Sequence, residues 1–176
     1  MLIDSYDLDV FTPPCEPGAE RFSAIARLKA DISEVLPYLN AVLKGAIFNP
    51  EAGALSWQRG GRKIVYTAYQ IAVSNVEDRD EAIRIVEEEV ARVNRTWENR
   101  HELTPSYAVR KRPGLLNVYR LLPQTNCKVC GEPTCYVFAT RLLAHQHKLE
   151  DCTALHEPQY SSQLAQLSEL LAGWEG

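Results

Sequence analysis

The sequence contains no run of eighteen apolar residues, no cationic start followed by an apolar stretch, and no acylation motif. These absences argue against a membrane-spanning helix and a secretory leader, and predict a soluble, cytoplasmic chain. Histidine is scarce: there are four in 176 residues and none precedes His101. The first hundred positions therefore offer no imidazole for acid–base work or metal binding. No GxGxxG, phosphate-binding loop or Ser-His-Asp set occurs, so no catalytic constellation can be named, and an accessory role is expected rather than an enzyme. Internal repeats and low-complexity segments are absent as well. A net charge of −4, with no aromatic residues among the basic ones, argues against nucleic-acid binding.

What is present is concentrated. Of five cysteines, four lie in one stretch, as Cys127-x2-Cys130-x4-Cys135-x16-Cys152. A CxxC pair offers two thiolates from one tight turn, a third five residues on closes a face, and the fourth returns from across a short helix. Structural zinc usually takes two separate knuckles, and the second pair here is not one, so zinc ranks behind an iron-sulfur cluster. A redox dithiol is the third reading, without a thioredoxin-like unit to support it. Spacing alone does not decide between two irons and four.

The run LPQTNCKVCGEPTC, an Ala/Leu-rich helix and then LEDC resemble the four-iron-four-sulfur domain of the corrinoid iron-sulfur protein large subunit. Similar domains occur in a subunit of ion-pumping electron-transport complexes and in small proteins of anaerobes. The resemblance covers residues 121 to 155. It implies that Cys127, Cys130, Cys135 and Cys152 ligate one [4Fe-4S] cluster that transfers single electrons. It further implies a redox partner: a ferredoxin-like donor, a corrinoid protein or a larger oxidoreductase. Lys128 stands where the family often has Gly, Ala144-His145-Gln146 replaces a Gly after the helix, and Thr153 replaces a Pro. None of these departures removes a ligand. A structural zinc or cluster module, and a cluster-based redox sensor, are the alternative functions.

Local chemistry around the motif is consistent with a metal cradle. Pro123 and Gly131-Glu132-Pro133 force turns that free backbone N–H groups to face sulfur. Thr134 is a good N-cap for a helix from about Cys135 to about His145, whose dipole favours the Cys135 thiolate. Cys135, Phe138, Ala139 and Leu142 share one face of it. Ten helical residues advance about 15 Å and the next seven span about 23 Å extended, so Cys152 can reach back. His145 and His147, near the helix end, are secondary candidates as ligands. From Pro105 to Glu150 the net charge is +5, leaving −9 elsewhere. Such cations ease reduction of a centre carrying about −2 when oxidised, and Lys128 is the residue expected to raise its potential or mark the docking face.

The remainder predicts an α+β fold, an antiparallel sheet covered by helices, followed by a small helical iron-sulfur lobe. Residues 1–104 would form the α+β domain, 105–120 a basic linker, and 121–176 the cluster lobe with a C-terminal helix. The first twenty residues read as an extended arm and turn, with Cys15 as a surface or packing thiol. Arg21 to Lys29 alternates as a strand. Asp31 and Glu34 form a capping box for a helix of about a dozen residues, with Pro37 in its first turns. Ala54 to Tyr69 is a hairpin around Arg59-Gly60-Gly61-Arg62, followed by a strand from Gln70 to Asn75. Glu77 to Arg100 is a long helix with Ile83, Val86, Val90, Val93 and Trp97 as its buried stripe. That spacing also fits a coiled-coil seam, but at three heptads docking on the sheet is favoured. Trp57, Tyr66 and Tyr69 read as core or sheet-face packing before a ligand surface. Leu103 to Pro123 reads as linker-like, and Tyr160 to Trp174 as a last amphipathic helix.

Overall fold

The computed structural model describes residues 1–12, 21–172 and 174, and divides into two compact units. Cys15 and the expected turns at Pro13-Pro14 and Pro17-Gly18 lie outside the described residues.

The first unit, Met1–Gln58 with Arg62–Arg110, is the α+β part. Its six strands are β1 (Tyr6–Phe11), β2 (Phe22–Leu28), β3 (Ile47–Asn49), β4 (Ala54–Arg59), β5 (Arg62–Thr67) and β6 (Gln70–Val76). They form one antiparallel sheet in the order β1-β2-β6-β5-β4-β3. Gly60 and Gly61 join β4 to β5 with φ of +57° and +81°, the left-handed pair that a two-residue hairpin turn requires. β5 and β6 are separate strands, paired from Thr67↔Gln70. A bulge does occur in β6, where the register against β2 shifts at Phe22/Ser23 and Asn75 takes a φ of +65°. The expected extended arm is in part the edge strand β1, and β3 was not foreseen.

Among the described residues this unit also carries two α-helices, α1 (Leu36–Val42) and α2 (Arg79–Glu98). The residues Ala24, Ala26, Leu28, Ile64, Tyr66, Ile71 and Val73 alternate along their strands and are buried with Ile85, Val86 and Val93 of α2. α1 is shorter than a dozen residues and is preceded by a 3-10 turn, Ser33–Val35. The Asp31 carboxylate accepts from the Ser33 amide instead of capping the helix, and Pro37 sits in the first turn, where a missing N–H costs nothing. At α2 the cap is real: Asp78 accepts from the Glu81 amide at 2.7 Å, and the Glu81 carboxylate accepts from the Glu77 amide at 2.7 Å.

The α2 stripe is rotated from expectation. Ala82, Ile85, Val86, Glu89, Val93 and Thr96 are buried, whereas Ile83, Val90 and Trp97 are only half-buried. Glu89 sits inside because it is fully partnered: the Tyr66 hydroxyl donates to it at 2.5 Å and Arg92 Nε at 2.8 Å. Burial, then the Glu89 charge and hydrogen bond, push the Tyr66 phenol well above its usual range. Arg92 also lies over the Trp57 ring at 5.0 Å. Trp57 and Tyr66 are thus core, and Tyr69 is 54% exposed.

A second polar device closes the unit. Asn40, fully buried, donates to the carbonyls of Ser106 and Ala108 at 2.8 and 3.0 Å and accepts from Arg110 Nη1 at 2.7 Å. The segment after α2 is therefore strapped onto α1, and Arg110, which reads as surface charge, is a structural clamp.

The second unit, Lys111–Gly176 with Arg59–Gly61, contains α3 (Leu115–Leu121), α4 (Cys135–Leu143) and α5 (Ser161–Leu170) with short 3-10 turns between the last two. The stretch read as linker-like therefore ends in a helix, and α3 packs on α4 and α5, with Val118, Phe138, Leu142 and Leu167 buried on these helices. No helix among the described residues is long and apolar enough to cross a membrane.

Candidate metal centre

α4 fixes the geometry of the site. Thr134 caps it, Oγ1 accepting from the Val137 amide at 3.2 Å, so Cys135 is its first residue and is buried with Phe138, Ala139 and Leu142. The preceding loop reaches back to it: Asn126 Oδ1 accepts from the Cys135 amide at 2.9 Å. Cys127 and Cys130 ride on that loop, and Cys152 follows the 3-10 turn Leu149–Asp151.

The structure brings all four sequence-predicted cysteines around one hollow, together with Glu132 and Phe138. Their exposure is graded: Cys127 is exposed, Cys130 half-buried, and Cys135 and Cys152 buried; all four are free thiols. Among the described residues, no three His, Cys, Asp or Glu side chains stand close enough together to hold a single metal ion. Burial raises the Cys152 pKa, with further upward pressure from Cys130, Cys135 and Cys127, while the Leu155 amide opposes by hydrogen bonding. Cys127 moves the other way, lowered first by a hydrogen bond from the Val129 amide and then by Thr125. Soft donors on a wide cage, with amides directed at sulfur, are chemically suited to a polynuclear iron-sulfur centre.

The loop backbone is unusual. Gln124, Asn126 and Lys128 have φ of +57°, +50° and +63°, and Gly131 has +84°. Alternation of left-handed residues with ordinary ones is a backbone pattern suited to an anion-binding concavity of N–H groups. Lys128 and His145 (φ +55°) also hold left-handed conformations, which glycine adopts without steric cost.

Around the thiols lies a polar layer that sequence reasoning missed. Glu132 is buried, yet its carboxylate accepts from Arg141 Nη1 at 2.8 Å and meets His147 Nε2 at 2.7 Å. The other ring nitrogen, Nδ1, meets Asp151 Oδ2 at 2.9 Å, and the ring lies 5.2 Å from that of Phe138. Burial would lower the His147 pKa, but the hydrogen bonds to Glu132 and Asp151 outweigh it and the net shift is upward. Both nitrogens are engaged, so His147 has none free for a metal. His145 stacks on Trp174 at 5.3 Å, its pKa lowered by burial and then by Arg112. The signal for this layer was a histidine placed four residues before an aspartate, a pattern too common to single out.

The first unit has a groove of its own, lined by Tyr38, Phe48, Trp97, Arg100 and Tyr107. The Ser33 hydroxyl on its rim donates to the Asp31 carboxylate.

Comparison with known proteins points to the same segment. Residues 122–154 match a family described as "Putative Fe-S cluster". The acetyl-CoA decarbonylase/synthase complex subunit gamma 1 of Methanosarcina thermophila is 50% identical over 58 residues, 32% of this chain and 12% of that protein. Subunit gamma of Methanocaldococcus jannaschii is 37% identical over 62 residues, 35% of this chain and 13% of that protein. Subunit gamma 2 of Methanosarcina mazei is 47% identical over 58 residues, 32% and 12% respectively. The chain thus spans about an eighth of the length of these curated relatives. No solved structure matches it significantly. These matches support an iron-sulfur centre.

Proposed function

We propose that Cys127, Cys130, Cys135 and Cys152 ligate one [4Fe-4S] cluster, and that the protein is a redox accessory subunit which passes single electrons to a larger enzyme or corrinoid partner. The observation that carries this reading is the convergence of four free thiols, graded from exposed to buried, on one hollow. Such a centre, when bound, supplies a one-electron couple. The chain's own residues divide the remaining work. Phe138 and Leu142 exclude water on the α4 side, and the Val129 and Leu155 amides donate toward sulfur. Cys127 and exposed Lys128 form the edge a partner can approach. The partner is a ferredoxin-like donor, a corrinoid protein or an oxidoreductase, and subunits of a multi-protein complex among the relatives support an assembly of that kind. The α+β unit selects that partner in a cytoplasmic, anaerobic setting.

Oxygen-free purification followed by iron, sulfide and zinc analysis tests the proposal. About four irons and four sulfides per chain, with absorption near about 400 nm that bleaches on reduction, is the expected result. One zinc and no sulfide would make the cysteines a structural module. A cluster that cannot be reduced reversibly, but whose loss changes the oligomeric state, would make it a sensor.

A further inference from the structure

Burying a carboxylate is costly unless it is paired, so Glu132, 4% exposed on a short turn, calls for an explanation. It lies two residues after Cys130 and lines the same hollow as the four thiols. Its first partner, Arg141, belongs to α4, the helix that begins at Cys135. Its second, His147, bonds through the opposite nitrogen to Asp151, the residue immediately before Cys152. Three cysteine-bearing segments, the Cys130 turn, the Cys135 helix and the Cys152 turn, therefore meet through one carboxylate and one imidazole. The remaining thiol segment is tied separately, through Asn126 to the Cys135 amide.

We propose that His147, bridging Glu132 and Asp151, is a positioning residue whose clasp sets the separation of Cys130 from Cys152 and places balancing positive charge beside the centre. The inference rests on the cluster reading above. Both ring nitrogens face carboxylates, so the ring donates two hydrogen bonds and carries a positive charge, and with Arg141 it offsets Glu132 and Asp151. Hydrogen-bonded groups one layer out from the ligands hold them in register and tune the centre they bind.

The test compares the intact, anaerobically purified protein with His147→Ala, Glu132→Ala and Glu132→Gln. Three properties are read: iron and sulfide per chain, the rate of iron release to a chelator, and the midpoint potential. His147→Ala and Glu132→Ala are expected to release iron about ten-fold or more faster than the wild type, the range typical of lost outer-layer contacts. Glu132→Gln, which keeps a hydrogen-bonding amide in the carboxylate's place, is expected to recover most of the retention. The potential should fall in His147→Ala, where a positive charge is lost, and rise in Glu132→Gln, where a negative one is. A merely structural role would move neither potential. Wild-type retention together with an unchanged potential in His147→Ala overturns the clasp. If His147→Ala does not fold, Asp151→Ala removes only the exposed arm, and an unchanged release rate there overturns it equally. A wild type that holds zinc and no sulfide defeats the cluster reading instead, and the same release comparison, run on zinc, then decides the clasp by itself.

Discussion

The two units are held together by different means. The first is a sheet with helices on it, and its polar interior groups, Glu89 and Asn40, are satisfied by side chains and backbone of the same unit. The second has helices of seven to ten residues, and left-handed φ at Gln124, Asn126, Lys128 and His145. In the first unit Asn75 is the one such non-glycine among the described residues. Left-handed conformations cost about 1–2 kcal/mol each for ordinary residues and persist where surrounding bonds over-determine them. One unit therefore supplies its own stability through burial. The other stores strain in a loop whose bonding partner, in the reading proposed above, is a metal centre.

Removing a ligand tests that contrast most severely. Cys130→Ser, or chelation of the wild type, is expected to abolish or convert the centre and to loosen the second unit while the sheet keeps its circular dichroism. Four irons per chain in the mutant would refute the ligand set. Next in size is Glu89→Ala in the first unit, which strands Tyr66 and Arg92. A loss of about 3 kcal/mol in denaturant unfolding is expected, with the iron content unchanged. Lys128→Gly is smaller and opposite in sign, a gain of about 0.5–1 kcal/mol for the second unit, since relief of a left-handed lysine exceeds the entropy cost of glycine.

The subtlest test uses pH. The His147 pKa is raised above 6.5 in the fold, so its contribution is complete below 6.5 and is lost as pH rises through the raised value. His145 is lowered from 6.5, so its contribution is present above 6.5 and is lost as pH falls through the lowered value. Melting of the second unit should thus decline on both sides. His147→Gln flattens the alkaline limb and His145→Gln the acid limb, each measurable from about pH 5 to about pH 9.

Much of this was legible beforehand because local chemistry decides it. Thr134 before Cys135 is a cap whatever the tertiary context, Gly60-Gly61 demands a tight turn, and the alternation from Phe22 to Leu28 has one strand solution. The long helix was equally plain, but its inward face was not. Glu89 reads as solvent charge until Tyr66, twenty-three residues earlier, is seen opposite it. Arg110 was hidden in the same way: in a basic run it resembles surface charge, and only Asn40, seventy residues away, makes it a clamp. The helix α3 escaped because seven residues after Pro113-Gly114, with Val118 alone fully buried, carry almost no periodicity. The four cysteines stand out by their spacing. The carboxylate–imidazole layer around them was not, since its members are linked through space and not through pattern.

The graded exposure of the thiols also bears on how the chain ages without its metal. Cys127 is open to solvent and has a lowered pKa, whereas Cys152 is buried and raised. Oxidants act on thiolates they can reach, so damage would enter at Cys127, pass through a sulfenic acid, and be trapped as a disulfide with a neighbouring thiol before Cys152 is touched. The corner of the site most open to solvent is also where air would act first.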